Sequence, residues 1–410
     1  MKRSISILSL AISASLTVAG AAAAQNLIIR DARIITGTGQ VIEKGSIVIQ
    51  NGKIASVGPT ATAPKGVATI NGAGMTVMAG YIDTHRHLIA GPSDAYLKDQ
   101  AADRMREMLE AGVTTVQEGG ADNQAILELK RRVESGQIVG PRIITAARVE
   151  VGAAKDEAAI REGIRAAKAS GFDSIAEVRY PLGAWPAKAS EQETRNLGIA
   201  VDEANKVGIP LQVHAVSGAE TVLAAVKVGV KKLVHTPHFT WLTDAEAKQV
   251  KGAGAWVSSC TALGAPIFGV FANDNKPRVR DGKDWPANIP QGEGRGREAG
   301  MKPVNGRTLY DNGVNYSFCT DNSYYAPAAI ATELRVLNLM FSPIDLVQIM
   351  GKNSADFLDK TDRGTLEVGK LADIVVLAGN PLDGYWNLLN PKVVIKGGVV
   401  VVDKRRQAPR

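Results

Sequence analysis

The sequence predicts an α/β protein: a (β/α)8 TIM barrel carrying a small β-sandwich satellite domain formed by both chain ends. Three observations carry this. Both ends are rich in short β-branched runs broken by turn residues. Between them, strand-like and helix-like segments alternate through eight units. All five histidines fall at or just beyond the ends of strand-like runs. In such a barrel the carboxyl ends of the strands are where chemistry is placed.

The first 24 residues form a compositional block of their own. Lys2 and Arg3 precede an apolar run from Ile5 to about Val18, and small residues follow, ending Ala22-Ala23-Ala24-Gln25. A charged start, a short apolar stretch and small residues at a cleavage point predict a secretory signal peptide, hence a periplasmic or secreted protein. The run is shorter than the roughly 20 apolar residues a spanning helix needs, and no later segment qualifies, so no membrane span is expected after cleavage.

Residues 25–72 supply the first part of the satellite. Leu27-Ile28-Ile29, Ile34-Ile35, Ile47-Val48-Ile49 and Ile54 to Val57 are short strands, and Asn51-Gly52 predicts a tight hairpin turn. Residues 361–410 supply the rest, with runs at 372–377 and 393–402.

The barrel is assigned to residues 73–360. Its strands are expected at 76–78, 114–117, 142–145, 174–178, 211–214, 232–235, 255–258 and 315–318. Helices are expected at 95–111, 123–135, 156–170, 191–207, 219–228 and 326–341. Residues 264–305 form a long insertion with Phe268, Phe271 and Trp285, expected to be a lid or substrate wall on the catalytic rim. Its Gly-rich part lacks the lysine and Ser/Thr of a phosphate loop.

At 410 residues, with 45% apolar and 22% charged residues, the chain can bury a large core. A net charge of +7 is a weak imbalance spread along the chain, and without a basic-aromatic run it gives no sign of nucleic-acid binding. Only Cys260 and Cys319 are present. That excludes a disulfide scaffold and predicts two free buried thiols, with a bridge between neighbouring strand ends as the alternative.

The candidate chemistry starts at Met78 to His87. On an extended strand, residues two apart share a face, so His85 and His87 can aim their imidazoles at one point while Arg86 faces away. Two such groups make half of a site for zinc or a similar ion. Further along, His214 stands on the fifth strand, His235 on the sixth and His238 three residues on. Glu177 lies on the fourth strand, and Asp321 follows the eighth. By its place in the sequence Asp321 could instead cap a helix. Glu118, Arg148 and Arg179 are further rim candidates, the arginines as binders of a substrate carboxylate.

The set His85-x-His87, His214, His235 and Asp321 resembles the amidohydrolase superfamily, in particular its imidazolonepropionase-like and secreted dipeptidase-like members. Val77 to His85, Ala111-Gly112-Val113-Thr114-Thr115 and Gly364 to Leu377 extend the likeness over about residues 26–404. The resemblance implies a divalent metal, zinc by default, as one or two ions. It would place His85, His87 and Asp321 on one ion, with His214 and His235 holding a second or assisting the substrate, and it would make Asp321 the general base.

The fourth strand departs from the pattern: many binuclear relatives carry a carbamylated lysine there, and this chain has Glu177. Glu177 either bridges the ions directly or pairs with Arg179 beside a single ion. The implied substrate is a small-molecule amide or dipeptide. Ring opening of a cyclic amide, deamination of a heterocycle and a non-catalytic binding role are the alternatives. His238 is expected to contact substrate or orient a ligand, with a purely structural role as the alternative. A homo-oligomer is compatible with the sequence.

Overall fold

The computed structural model describes residues 26–152, 155–182, 187–215, 217–262, 298–323 and 325–405. The expected signal peptide, and the insertion as far as residue 297, lie outside the described residues. No described helix is long and apolar enough to cross a membrane.

Both chain ends meet in one eight-stranded sheet. It begins with β1 (Leu27–Ile35), β2 (Val41–Gln50), β3 (Lys53–Gly58), β4 (Ala68–Asn71) and β5 (Thr76–Ala79). The β2–β3 turn has Asn51 and Gly52 at φ 49° and 77°, the left-handed pair that a two-residue hairpin demands. Strand β5 is a correction to the expectation: it is no barrel strand but pairs with β1 and with a strand from the far end of the chain.

After Gly80 the chain turns into β6 (Tyr81–Arg86), which belongs to a different sheet. A Cβ at Gly80 would collide with the Thr114 side chain. The sequence shows one apolar run over 76–82, and only this residue marks where it changes sheets.

The next strands are β7 (Val113–Glu118), β8 (Arg142–Ile144), β9 (Ala146–Ala147), β10 (Ser174–Arg179), β11 (Leu211–His214), β12 (Lys232–Val234), β13 (Trp256–Ser258) and β14 (Tyr316–Ser317). They form parallel sheets in the orders β6-β7-β8 and β9-β10-β11-β12-β13-β14. The strand predicted over 142–145 is β8, and β9 follows it directly after Thr145, so the two sheets are consecutive in the chain. At the other end, Thr84 N–H donates to Phe318 O and Asp321 N–H to His85 O, both at 2.9 Å, joining β6 to the end of β14. The Thr84 hydroxyl also lies 2.5 Å from Ser258 Oγ on β13.

Helices separate the strands. The expected helix over 95–111 is two, Ser93–Asp99 and Ala101–Glu110. Asp244–Gly252 was not anticipated, although Thr243 and Glu246 form a capping box at its start. The end of the expected insertion is also corrected: residues 298–305 open the helix Glu298–Asp311.

The chain closes with β15 (Ile374–Leu377), β16 (Pro391–Lys396) and β17 (Val399–Asp403). Their apolar runs are continuous because both faces are covered. Ile374 and Val376 pack with Leu27, Ile47 and Val77, whereas Val375 and Leu377 pack into the main core with Tyr81 and Val113.

Cys260 and Cys319 are joined in a disulfide, which corrects the expectation of free thiols. The physical reason is adjacency: they follow neighbouring strands β13 and β14, and their Cα atoms are 5.1 Å apart.

Candidate functional site

Six of the predicted residues converge at the carboxyl ends of the parallel strands. His85 Nε2 and His87 Nε2 lie 3.3 and 3.2 Å from Asp321 Oδ1. Glu177 sits at the middle of the group. Its Oε2 is 2.9 Å from both His214 Nδ1 and His235 Nε2 and 3.5 Å from His85 Nε2, and its Oε1 is 3.9 Å from His87 Nε2. His235 Nδ1 lies 3.4 Å from Asp321 Oδ2, so the two carboxylates share that imidazole.

Local conformation aims these groups. His85 and His87 project from the end of β6 on one side, as their spacing requires. Arg86 faces the other way, yet it is buried and donates to Thr320 Oγ1 and Asn322 Oδ1, both at 3.0 Å. His235 and Asp321 have φ of 72° and 48°, left-handed values that non-glycine residues hold at a cost of about 1–3 kcal/mol each. Asp321 caps no helix, since Tyr325 is the N-cap of the following Ala326–Leu337. Gly119 closes the space beside the cluster: a Cβ there would stand 3.0 Å from the rings of His85 and His87.

Two carboxylates brace the cluster, and the first of them escaped the sequence reading. Asp83 Oδ1 accepts from the Thr320 N–H (3.1 Å), and Oδ2 accepts the Thr320 hydroxyl (2.6 Å), tying β6 to the loop that carries Asp321. The signal was the spacing Asp83-x-His85-x-His87. The second brace is Glu118, a rim candidate, whose carboxylate accepts from the backbone N–H of Leu88 and Gly120 at 2.9 and 3.0 Å and so fixes the chain after His87. Asp83→Ala would take away the acceptor of both the Thr320 N–H and the Thr320 hydroxyl proton inside the protein. It is expected to cost about 2–4 kcal/mol of stability, read from urea unfolding; a loss within experimental error would remove the brace.

The electrostatics are those of a site built for positive charge. Burial works against the ionised carboxyl of Glu177, but the charge of His85 and the bonds from His214 and His235 hold it well below the ordinary range. Asp321 is likewise held down, against burial, by His235, His85 and His87. Burial disfavours a charged His85, yet Glu177 and Asp321 raise it to about 9. Burial pushes His235 down to about 4 and keeps it neutral.

The cluster fits a divalent ion. His85 Nδ1, His85 Nε2 and His235 Nδ1 are buried without a hydrogen-bond partner among the described residues, an unusual state for polar atoms unless something else satisfies them. Two donor sets, His85–His87–Asp321 and His85–Glu177–His235, each gather within 4.8 Å. Their imidazole and carboxylate donors suit zinc, manganese or iron.

A sequence profile of the amidohydrolase family matches residues 76–401. The chain belongs to the amidohydrolase family. It is accordingly a hydrolase acting on carbon–nitrogen bonds, in a family that is metal-dependent. This amidohydrolase is 23% identical over 381 residues to an imidazolonepropionase of Micrococcus luteus, covering 83% of this chain and 88% of the relative. Among solved structures it resembles one described as an amidohydrolase (TM-score 0.77, 22% identity, 93% of this chain and 100% of that one). It also resembles a Xaa-Pro dipeptidase with bound methionine in its active site (TM-score 0.74, 21% identity, 92% and 100%).

The remaining predicted residues stand differently. Arg179 is exposed at the end of β10, two residues from Glu177 and in register with His214. The expected alternative of a Glu177–Arg179 pair is replaced by the bonds from His214 and His235 to the Glu177 carboxylate. Arg148 lies at the surface. Its side chain is 69% exposed and faces Glu150 at 3.5 Å, because Asn123 fixes the Arg148 backbone on the surface. His238 is buried with its ring against Phe239 (centroids 4.3 Å).

Proposed function

We propose that this amidohydrolase is a periplasmic or secreted enzyme that hydrolyses the amide bond of a dipeptide or N-acyl amino acid, with Asp321 as general base. In this reading the two parallel sheets are one (β/α)8 barrel closed between β6 and β14, and the chain ends form a satellite β-sandwich. The observation that carries the function is the approach of His85 Nε2 and His87 Nε2 to within 3.3 Å of Asp321 Oδ1, with Glu177 linking them to His214 and His235.

His85, His87 and Asp321 would hold one ion, and Glu177, His214 and His235 a second, with Glu177 positioned to reach both groups. Zinc is the default identity. A divalent ion bound here would supply a lowered water pKa and a polarised scissile carbonyl. Asp321, anionic and adjacent, accepts the proton of the attacking water and returns it to the leaving nitrogen, the transfer an amide needs because its amine leaves poorly unprotonated. His235, neutral at working pH, offers a hydrogen bond or a lone pair as the site requires. Arg179 meets the substrate carboxylate and His238 lines the pocket.

The decisive test is removal of metal. Chelation should abolish hydrolysis of a panel of dipeptides that includes Xaa-Pro sequences, and one or two equivalents of a divalent ion should restore it. Stoichiometric metal without any amide hydrolysis would leave the binding-protein alternative. The M. luteus relative favours one second reading, opening of a cyclic amide at the same centre, and a hydantoin or imidazolone substrate in the panel separates the two. Arg179→Ala should raise KM about tenfold or more for substrates with a free carboxylate and leave kcat near its original value; an unchanged KM removes that role.

A further inference from the structure

Beside the six-residue cluster, one other set of ligating atoms gathers among the described residues: a ring nitrogen of His235 and the sulfurs of Cys260 and Cys319, all within 4.8 Å of one another. Both cysteines are fully buried, one after β13 and the other after β14. The disulfide between them is not needed to bring these strands together. Ser259 N–H already donates to Ser317 O at 2.9 Å, and Cys319 N–H to Ser259 Oγ at 3.0 Å. A chain with a core this large has little need of a staple. What distinguishes the pair is its place, two residues before Asp321 and against His235.

We propose that Cys260, Cys319 and His235 form a second, redox-controlled metal set, which takes a thiophilic divalent ion such as Zn2+, Co2+ or Cd2+ when the disulfide is reduced and is closed when it is oxidised. Two thiolates and an imidazole are three of the four ligands a tetrahedral zinc site uses. In such a site Zn–S distances of about 2.3 Å put the two sulfurs about 3.8 Å apart. Rotation of the two side chains reaches that separation from Cα atoms 5.1 Å apart. His235 can serve because its two nitrogens are placed differently: Nε2 is 2.9 Å from Glu177, whereas Nδ1, 3.4 Å from Asp321 Oδ2, makes no hydrogen bond among the described residues.

The chemistry balances. A dithiol gives two electrons and two protons to the S–S bond and becomes a cyclic disulfide, leaving two thiols. Metal binding then forms two metal–sulfur bonds and releases the two thiol protons. The inference rests on the proposed hydrolytic centre only for its consequence, since an ion held here would compete with that centre for His235.

The test uses the full chain. The protein is reduced with excess dithiol, freed of it without air, its two thiols counted, and titrated with Co2+. The expected result is a sulfur-to-cobalt charge-transfer band in the near ultraviolet that neither the oxidised protein nor Cys260→Ser develops at the same Co2+ concentration. Visible d–d absorption from the histidine and carboxylate centre should be common to all three. Two counted thiols without a charge-transfer band would overturn the proposal, and so would a disulfide that withstands the dithiol in the folded protein. A charge-transfer band without the common d–d absorption would support this site and count against the hydrolytic centre, so the two readings fail separately.

Discussion

Asp321→Asn is expected to lower kcat by about 10³-fold, within the span that positioned general acid–base groups contribute. The substitution keeps size and one coordinating oxygen but removes the capacity to take a proton. Asp321 is 6% exposed and contacts His85, His87 and His235, so a shorter replacement would empty the site and confuse binding with chemistry. With Asn in place, metal content should fall far less than turnover. Metal analysis beside steady-state kinetics reads the two apart. A variant that keeps its metal and more than about a tenth of kcat would assign the base elsewhere.

Glu177→Gln should cost about 10²-fold or more in activity and should lower the number of bound ions. The carboxylate accepts from His214 Nδ1 and His235 Nε2 at 2.9 Å each and leads the interactions that raise His85. An amide at this position carries no charge, and it can offer only one oxygen where the histidines now share a carboxylate. If Glu177 bridges two ions, metal content should drop from two equivalents to one or fewer. If the site holds one ion on His85, His87 and Asp321, content stays at one and only kinetics change. The His85 imidazole should also titrate lower in the metal-free variant, by NMR, because its leading attractive charge is gone.

The convergence of the six-residue cluster was legible because it obeys short-range rules. The His85-x-His87 spacing follows from strand periodicity, and the placing of His214, His235 and Asp321 from the regular alternation of strands and helices. Other features depend on three-dimensional neighbours that no local pattern records. Thr76 to Ile82 reads as one apolar run, yet its halves serve different sheets, with the close approach of Thr114 to Gly80 at the break. Arg148 carries the guanidinium of a substrate-binding arginine, but its side chain is exposed beside Glu150 and its backbone is held by Asn123, which no local pattern records. The disulfide required knowing that β13 and β14 are neighbours with their cysteines level, and the role of Asp83 required knowing that Thr320 stands opposite.

The break at Gly80 bears on how the protein comes to be made. Strand β5 lies between β1 and β15, and a single residue separates it from the strand carrying the first two histidines. A ribosome delivers β15 to β17 almost last, so the sheet that anchors His85 stays incomplete until synthesis is nearly over. A chain cut short before Ile374 would therefore lack the strand that flanks β5, although all six residues of the cluster had already been translated.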